Sequence, residues 1–165
     1  MQRMRDADFE RLYEREAQGL YGFLAYRTGD ASLAEDLLAD TFERALRARR
    51  GFDRRRGTER NWLYAIALNL LRDHARRAAT EGRAVERIST GAPVATESGA
   101  EGVERRDQLQ RARAGLAEEE REAIALRFGA ELTVPEMAAV LDLPLSTVEG
   151  RVYRALRKLR GELAE

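Results

Sequence analysis

The sequence of 165 residues contains no cysteine and only one histidine, His74. Disulfides and thiolate metal ligands are therefore excluded, and we predict neither a metal centre nor any other cofactor. The chain has no apolar run long enough to span a membrane, and its first residues lack the apolar stretch of a secretory signal, so we expect a cytoplasmic protein. No pairing of a nucleophile with a base and no constellation of carboxylates is present, and we do not expect an enzyme.

The chain also lacks an excess of charge of either sign, because 29 basic and 29 acidic residues cancel. This balance argues against a protein that coats nucleic acid through bulk charge. The charges are nevertheless unevenly placed: residues 1–40 carry five basic and nine acidic side chains, whereas residues 41–80 carry eleven basic and four acidic ones. An acidic block beside a basic block predicts two different partners, one of them a polyanion.

Helical spacing of apolar residues runs through most of the sequence and predicts an all-α fold with a real core, since 44% of the residues are hydrophobic. The periodicity disappears over residues 79–102, which are rich in Ala, Gly, Thr, Ser and Glu. We interpret this segment as a flexible linker between two small helical domains. The predicted domains cover residues 1–78 and 103–165.

Residues 133–160 predict a helix-turn-helix. Thr133 with Glu136, and Ser146 with Glu149, have the spacing of capping boxes, and Pro144 between them favours a sharp turn. Residues 151–160 hold five basic side chains and no acidic one. Such a helix is typical of one that enters the major groove of DNA, although a basic stripe alone is more often a solvated face. The predicted outer face carries Thr147, Arg151, Arg154 and Lys158.

A second basic segment, residues 49–60, combines six arginines with Phe52, which we expect to be exposed. This combination suits single-stranded nucleic acid, because the arginines can follow the phosphate backbone while an aromatic ring or a pocket receives an unstacked base. In the helix that follows, Asn69 could pair with a base edge or cap a loop, and we expect Trp62 to anchor the core because tryptophan is largely buried on average. The face that this helix is predicted to present carries Asn61, Tyr64, Asn69, Arg72 and Arg76.

The helix that is predicted to precede the basic segment 49–60 has an acidic stripe. Its apolar residues Leu38, Phe42, Ala45 and Leu46 are expected to face the core, which leaves Asp36, Asp40 and Glu43 outside. An acidic stripe is usually only solvated, but here it is also a candidate surface for docking another protein.

Three segments together resemble the extracytoplasmic-function group of bacterial sigma factors. AEDLLADTF (34–42) resembles the polymerase-binding helix of that group, WLYAIALNLLRDHARR (62–77) its helix for the −10 promoter element, and residues 132–160 its reader of the −35 element. The order of the segments and the linker also match, and the resemblance covers nearly the whole chain. It implies a sigma factor that directs core RNA polymerase to promoters, recognises both elements and captures a base flipped out of the non-template strand.

The resemblance also implies roles for individual residues. Asp36, Leu37 and Asp40, with Glu43 on the same stripe, would bind core polymerase. The −10 DNA would contact Phe52, Arg54, Arg55, Arg56, Asn61, Trp62, Tyr64, Asn69, Arg72 and Arg76, with the flipped base held by the loop 52–57 and Asn69. The double-stranded −35 DNA would contact Thr147, Glu149, Gly150, Arg151, Tyr153, Arg154 and Lys158. Members of the group are commonly held inactive by an anti-sigma factor, which would be a further partner.

Two departures from the family pattern keep other hypotheses open. Ala39 lies where the family usually has Gln, and Glu149 lies where it often has a basic residue. Glu149 can accept a hydrogen bond from a cytosine amino group or simply cap its helix. The alternatives are an autonomous helix-turn-helix regulator, and a helical interaction protein that has lost its DNA functions and uses its acidic helix.

Overall fold

The computed structural model describes residues 3–81 and 100–163 of the chain. Seven α-helices follow one another in these ranges, and the described residues form no strand. The helices are α1 (Asp6–Thr28), α2 (Ala31–Ala48), α3 (Glu59–Thr80), α4 (Ala100–Ala114), α5 (Glu118–Ile124), α6 (Val134–Leu141) and α7 (Leu145–Leu163). A short 3₁₀ turn, Arg49–Gly51, ends α2, and a π-helical turn, Ala125–Gly129, continues α5. The predicted all-α class is confirmed.

In the N-terminal half, α1 and α3 both pack on α2. Gly29, in the left-handed conformation with φ 66°, ends α1. Asp30 then begins α2, because its carboxylate accepts from the backbone amides of Ser32 at 3.0 Å and Leu33 at 3.2 Å. The sequence also pairs Ser32 with Glu35 as a capping box, but this prediction is wrong because Ser32 lies inside α2. Leu46, which we expected to face the core, is exposed at the end of α2.

In the C-terminal half, α7 packs against α4, α5 and α6. The capping box at the start of α6 is confirmed: the amide of Thr133 donates to Glu136 Oε1 at 3.0 Å, and the amide of Glu136 donates to Thr133 Oγ1 at 3.3 Å. The second predicted box is wrong, because α7 begins one residue before Ser146. The carbonyl of Pro144 starts that helix by accepting from the amides of Thr147 and Val148 at 3.1 and 3.3 Å.

The predicted linker, residues 79–102, lies mostly outside the described residues, which omit 82–99. Both of its ends are helical rather than irregular. Thr80 completes α3 and donates from its hydroxyl to the carbonyl of Arg76 at 2.9 Å, and α4 already begins at Ala100. Alanine-rich sequence has high helix propensity, so composition alone placed the ends of the linker too far into the helices.

The two halves are in contact with each other. α3 packs on α6, and α1 packs on the π-helical turn after α5. Arg72 Nη2 lies 3.0 Å from Glu122 Oε1, and Arg60 Nη2 donates to the carbonyl of Ala130 at 2.9 Å. Buried apolar side chains from both halves belong to one hydrophobic cluster.

Within the described ranges, none of the helices is both long enough and apolar enough to cross a membrane.

Candidate nucleic-acid interface

One side of α7 packs against the protein, and the opposite side, its outer face, is exposed to solvent. Val148 and Ala155 are fully buried, which turns Glu149, Tyr153 and Arg154 outward, and Tyr153 is 66% exposed. A helix with these side chains exposed along one stripe has the geometry needed to enter a major groove. Of the other predicted contacts, Thr147, Gly150 and Arg151 are half-buried beside that stripe.

Arg154 lies along its own helix. One of its guanidinium nitrogens is 3.1 Å from the position that a Cβ would occupy at Gly150. This spacing is tight, so a larger residue at position 150 would require the arginine side chain to shift by a few tenths of an ångström. Gly150 therefore leaves room for the guanidinium of Arg154 in this position.

Lys158 is engaged within the protein. Its Nζ lies 2.5 Å from Oε1 of the buried Glu120 on α5. The hydrogen bond from Lys158 is the main cause that lowers the pKa of Glu120 below its ordinary value. Lys158 thus ties α7 to α5, and it would have to share its ammonium group in order to contact a phosphate.

The loop between α2 and α3 presents its arginines outward through a tight turn around Asp53. The side chain of Asp53 accepts from the amide of Arg55 at 3.0 Å, and its carbonyl accepts from the amide of Arg56 at 3.1 Å. Arg54, Arg55 and Arg56 are all exposed. The turn therefore concentrates three cations at one end of α3.

Phe52, in contrast, is not the exposed ring that the sequence suggested. It is only 3% exposed, and its ring centroid lies 5.2 Å from that of Trp62. Trp62 itself packs against the hydrophobic core, which agrees with the anchoring role expected for it. The aromatic pair fastens the arginine loop to α3, so an unstacked base would meet cations and backbone in this loop rather than a free ring.

The predicted −10 face of α3 is divided between solvent and protein. Asn69 and Arg76 are exposed, with Arg76 paired to Asp73. Asn61 is half-buried in the first helical turn, where its amide donates to Thr58 Oγ1 at 3.1 Å. Arg72 is occupied by Glu122 of the C-terminal half.

Tyr64 was predicted to lie on the presented face, and this is wrong. Its side chain is 1% exposed and packs edge-on against Phe23, with the ring centroids 5.8 Å apart. The guanidinium of Arg60 lies over its ring at 5.9 Å from the centroid. Burial raises the pKa of Tyr64 to about 12. Tyr64 therefore supports α3 from inside rather than lying on its exposed face.

The acidic stripe of α2 is exposed as expected at Asp36, Asp40 and Glu43, and Glu43 pairs with Arg47 at 2.6 Å. Leu37, predicted to contact polymerase, is instead buried in the core at 5% exposure. An exposed aromatic side chain that packs on α2 escaped the sequence analysis. Tyr13 of α1 is half exposed, with its ring 4.8 Å from that of Phe42.

Comparison with known proteins agrees with this arrangement. The Sigma-70 region 2 family matches residues 12–81, and the Sigma-70, region 4 family matches residues 106–159. The ECF RNA polymerase sigma factor SigC of Mycobacterium tuberculosis is 32% identical over 84% of this chain and 74% of its own length. The ECF sigma factor BldN of Streptomyces coelicolor is 32% identical over 92% of this chain, which spans only 58% of that relative.

A solved structure supports the same relationship. CnrH, determined in complex with the cytosolic domain of CnrY, superimposes with a TM-score of 0.70 at 27% identity, over 97% of this chain and 90% of its own. Both halves of the chain thus match sigma regions in the expected order. The resemblance inferred from the three sequence motifs is confirmed: this chain belongs to the ECF sigma factors, which direct bacterial RNA polymerase to promoters.

Proposed function

We propose that the chain divides promoter recognition between its halves. Residues 1–78 bind core polymerase and read and melt the −10 element, and residues 103–165 read the −35 element through α7. The segment 79–102 joins them. The observation that carries this proposal is the separation of exposed charge, with arginines alone at the tip of the 54–56 loop and acidic groups along α2.

The loop and α3 are proposed to hold the opened strand. Arg54, Arg55 and Arg56 contact the backbone of the non-template strand, while Asn69 and the loop receive the flipped base. Holding that base outside the stack stabilises the open duplex. Phe52, Trp62 and Tyr64 contribute through packing beneath this surface, because their rings lie against the core.

The acidic stripe of α2 is proposed to dock on core polymerase through Asp36, Asp40 and Glu43. The half-exposed ring of Tyr13 beside Phe42 adds apolar area to this surface. A docking surface that combines an apolar centre with charged neighbours is typical of protein interfaces. We propose Leu37 as a core residue that keeps the stripe in place.

Simultaneous binding of both promoter elements requires the halves to separate. The −35 and −10 elements lie about 25 base pairs apart, which is roughly 85 Å at 3.4 Å per base pair. Two helices joined by a 3.0 Å ion pair between Arg72 and Glu122 do not span such a length. We therefore propose that this interface opens when the chain assembles with polymerase and DNA. The tether then makes the second DNA contact effectively intramolecular.

The protein is proposed to do no bond-making chemistry of its own, to use no cofactor and to act in the cytoplasm beside the polymerase. The similar protein CnrH forms a complex with the cytosolic domain of CnrY. We propose by analogy that an anti-sigma factor regulates this chain as well.

The experiment that tests the proposed function is reconstitution of transcription. Start sites mapped after overexpression would supply a cognate promoter. Purified core polymerase with this protein should then initiate at that promoter, whereas core polymerase alone should not. Absence of a stable complex with core polymerase would contradict the proposal.

A further inference from the structure

A cavity of about 690 Å³ lies between the N-terminal half of α1 and the start of α3. Charged side chains line it, with five arginines and two carboxylates: Arg3, Arg5, Asp8, Arg11, Arg15, Arg54 and Glu59. Of these residues, only Arg54 belongs to the predicted DNA-binding set. The lining has an excess of three positive charges.

The two carboxylates hold the arginines in place. Asp8 pairs with Arg5 at 3.3 Å and with Arg11 at 2.5 Å. Glu59 pairs with Arg15 at 3.5 Å and with Arg54 at 3.1 Å. Each acid thus bridges two arginines, and Glu59 links Arg15 of α1 to Arg54 of the loop.

Exposure separates the carboxylates from the cations. The side chain of Asp8 is 9% exposed and that of Glu59 is 18% exposed, whereas Arg5 and Arg11 are 77% and 66% exposed. A guanidinium has five N–H donors, so pairing with one carboxylate oxygen leaves donors free for other acceptors. An incoming ligand therefore meets arginine N–H groups and little negative charge.

Arg54 belongs both to this cavity and to the arginine loop 54–56. A strand that contacts Arg54 in the loop can therefore continue into the cavity. Promoter DNA is opened from the captured base towards the start site. The unpaired part of the non-template strand therefore lies on the 3′ side of that base. Arginine recognises phosphate oxygens through paired N–H groups, and a lining of charged side chains suits the backbone rather than the bases.

We propose that this cavity binds phosphates of the non-template single strand immediately 3′ of the captured base. The proposal rests on the proposed function and extends the DNA contacts from the loop onto α1. Arg5, Arg11 and Arg15 are its principal new residues.

The test uses the complete chain bound to core polymerase and two fluorescent non-template oligonucleotides. The short one ends at the captured base, and the long one continues for about six nucleotides beyond it. The variant Arg5→Gln/Arg11→Gln removes two charges and keeps hydrogen-bond donors. Each lost phosphate contact should reduce the salt-dependence slope of binding by about 0.7, which corresponds to roughly fivefold in affinity at 0.1 M salt.

The matched control is Arg111→Gln, which removes an exposed arginine of α4 whose Nε donates to the carbonyl of Asp107 at 3.3 Å. Thermal unfolding of the variants reports whether the fold is kept. If the double variant is destabilised, Arg3→Gln tests the same cavity from residue 3, before α1 begins.

The proposal predicts a loss confined to the long oligonucleotide in the cavity variants and no loss in the control. Equal loss on both oligonucleotides, or none on either, would overturn it, and none is the result expected if the cavity binds an acidic protein segment instead. Failure of the wild-type complex to prefer the non-template sequence over a scrambled one would instead contradict the proposed function itself.

Discussion

The two helices assigned to promoter elements differ in what covers them. The outer face of α7 is open, with Glu149, Tyr153 and Arg154 all exposed. The corresponding face of α3 is partly occupied by the other half of the protein, because Arg72 pairs with Glu122. The difference indicates that the proposed −35 reader is accessible in the free chain, whereas we expect the proposed −10 reader to become fully accessible only when the halves separate.

Loss of the loop arginines should weaken the protein's activity most strongly. Replacing Arg54, Arg55 and Arg56 with alanine should reduce promoter binding by roughly 100-fold at 0.1 M salt, because three phosphate contacts are lost. Transcription from a duplex promoter measures the effect, which includes lost strand opening. A promoter with a pre-melted bubble is the control and should suffer less. Equal loss on both templates would show that the loop does not act in strand opening.

The next prediction concerns α7, whose outer face is exposed. Arg154→Ala should weaken recognition of the −35 element by about 1–3 kcal/mol, because one exposed arginine of α7 loses its contacts with DNA. Arg157→Ala, on the same helix but outside the predicted set, is the matched control. Binding to promoters with an intact or a scrambled −35 element separates specific from general loss. A deficit that persists on the scrambled promoter would argue against base recognition by Arg154.

A smaller effect concerns the attachment of α7 to α5. In the folded protein the pKa of Glu120 is lowered below its ordinary value of 4.5. The stabilisation that the charged carboxylate provides is therefore fully present above pH 4.5, and it is lost as the pH falls through the pKa of the folded state. Glu120→Gln should therefore lower stability at pH 7 by about 1 kcal/mol and have less effect in acid. Denaturant unfolding at several pH values measures this. A difference that stays constant with pH would exclude the Lys158 pair as its cause.

The weakest effect is expected for the contact that partly covers α3. Glu122→Gln should loosen the contact with Arg72 by about 0.5 kcal/mol, because Arg72 is about half exposed and the pair is screened by water. Binding of the free chain to a −10 single strand should then improve about twofold. Glu119→Gln, an exposed neighbour on α5, is the control. Unchanged or weaker binding by Glu122→Gln would indicate that this contact does not limit access to α3.

The sequence predicted well those features that depend on neighbouring residues. The Thr133 capping box and the exposed acidic stripe of α2 both follow from local spacing. The starts of α2 and α7 were misplaced because Asp30 and the Pro144 carbonyl supply the first hydrogen bonds in place of the expected serines.

Features that depend on distant partners were not predictable in the same way. Tyr64 is buried by Phe23, more than 40 residues earlier in the chain, and helical spacing cannot reveal that partner. The arginine cavity also escaped prediction. It exists only because α1 packs beside the start of α3, which brings Arg15 within 3.5 Å of Glu59. From their positions in the sequence alone, Arg5, Arg11 and Arg15 could not be assigned to a common site.

We propose that the chain holds its two DNA-reading halves together when free and separates them on a promoter. Because the sequence has no cysteine, Gln18→Cys on α1 and Glu119→Cys on α5, both exposed, can be labelled without further changes. The distance between the two labels should be measured in the free chain and in the complex with core polymerase and promoter DNA. We predict a short distance in the free chain and an increase of several tens of ångströms in the complex. An unchanged distance would show that the two halves do not separate on the promoter.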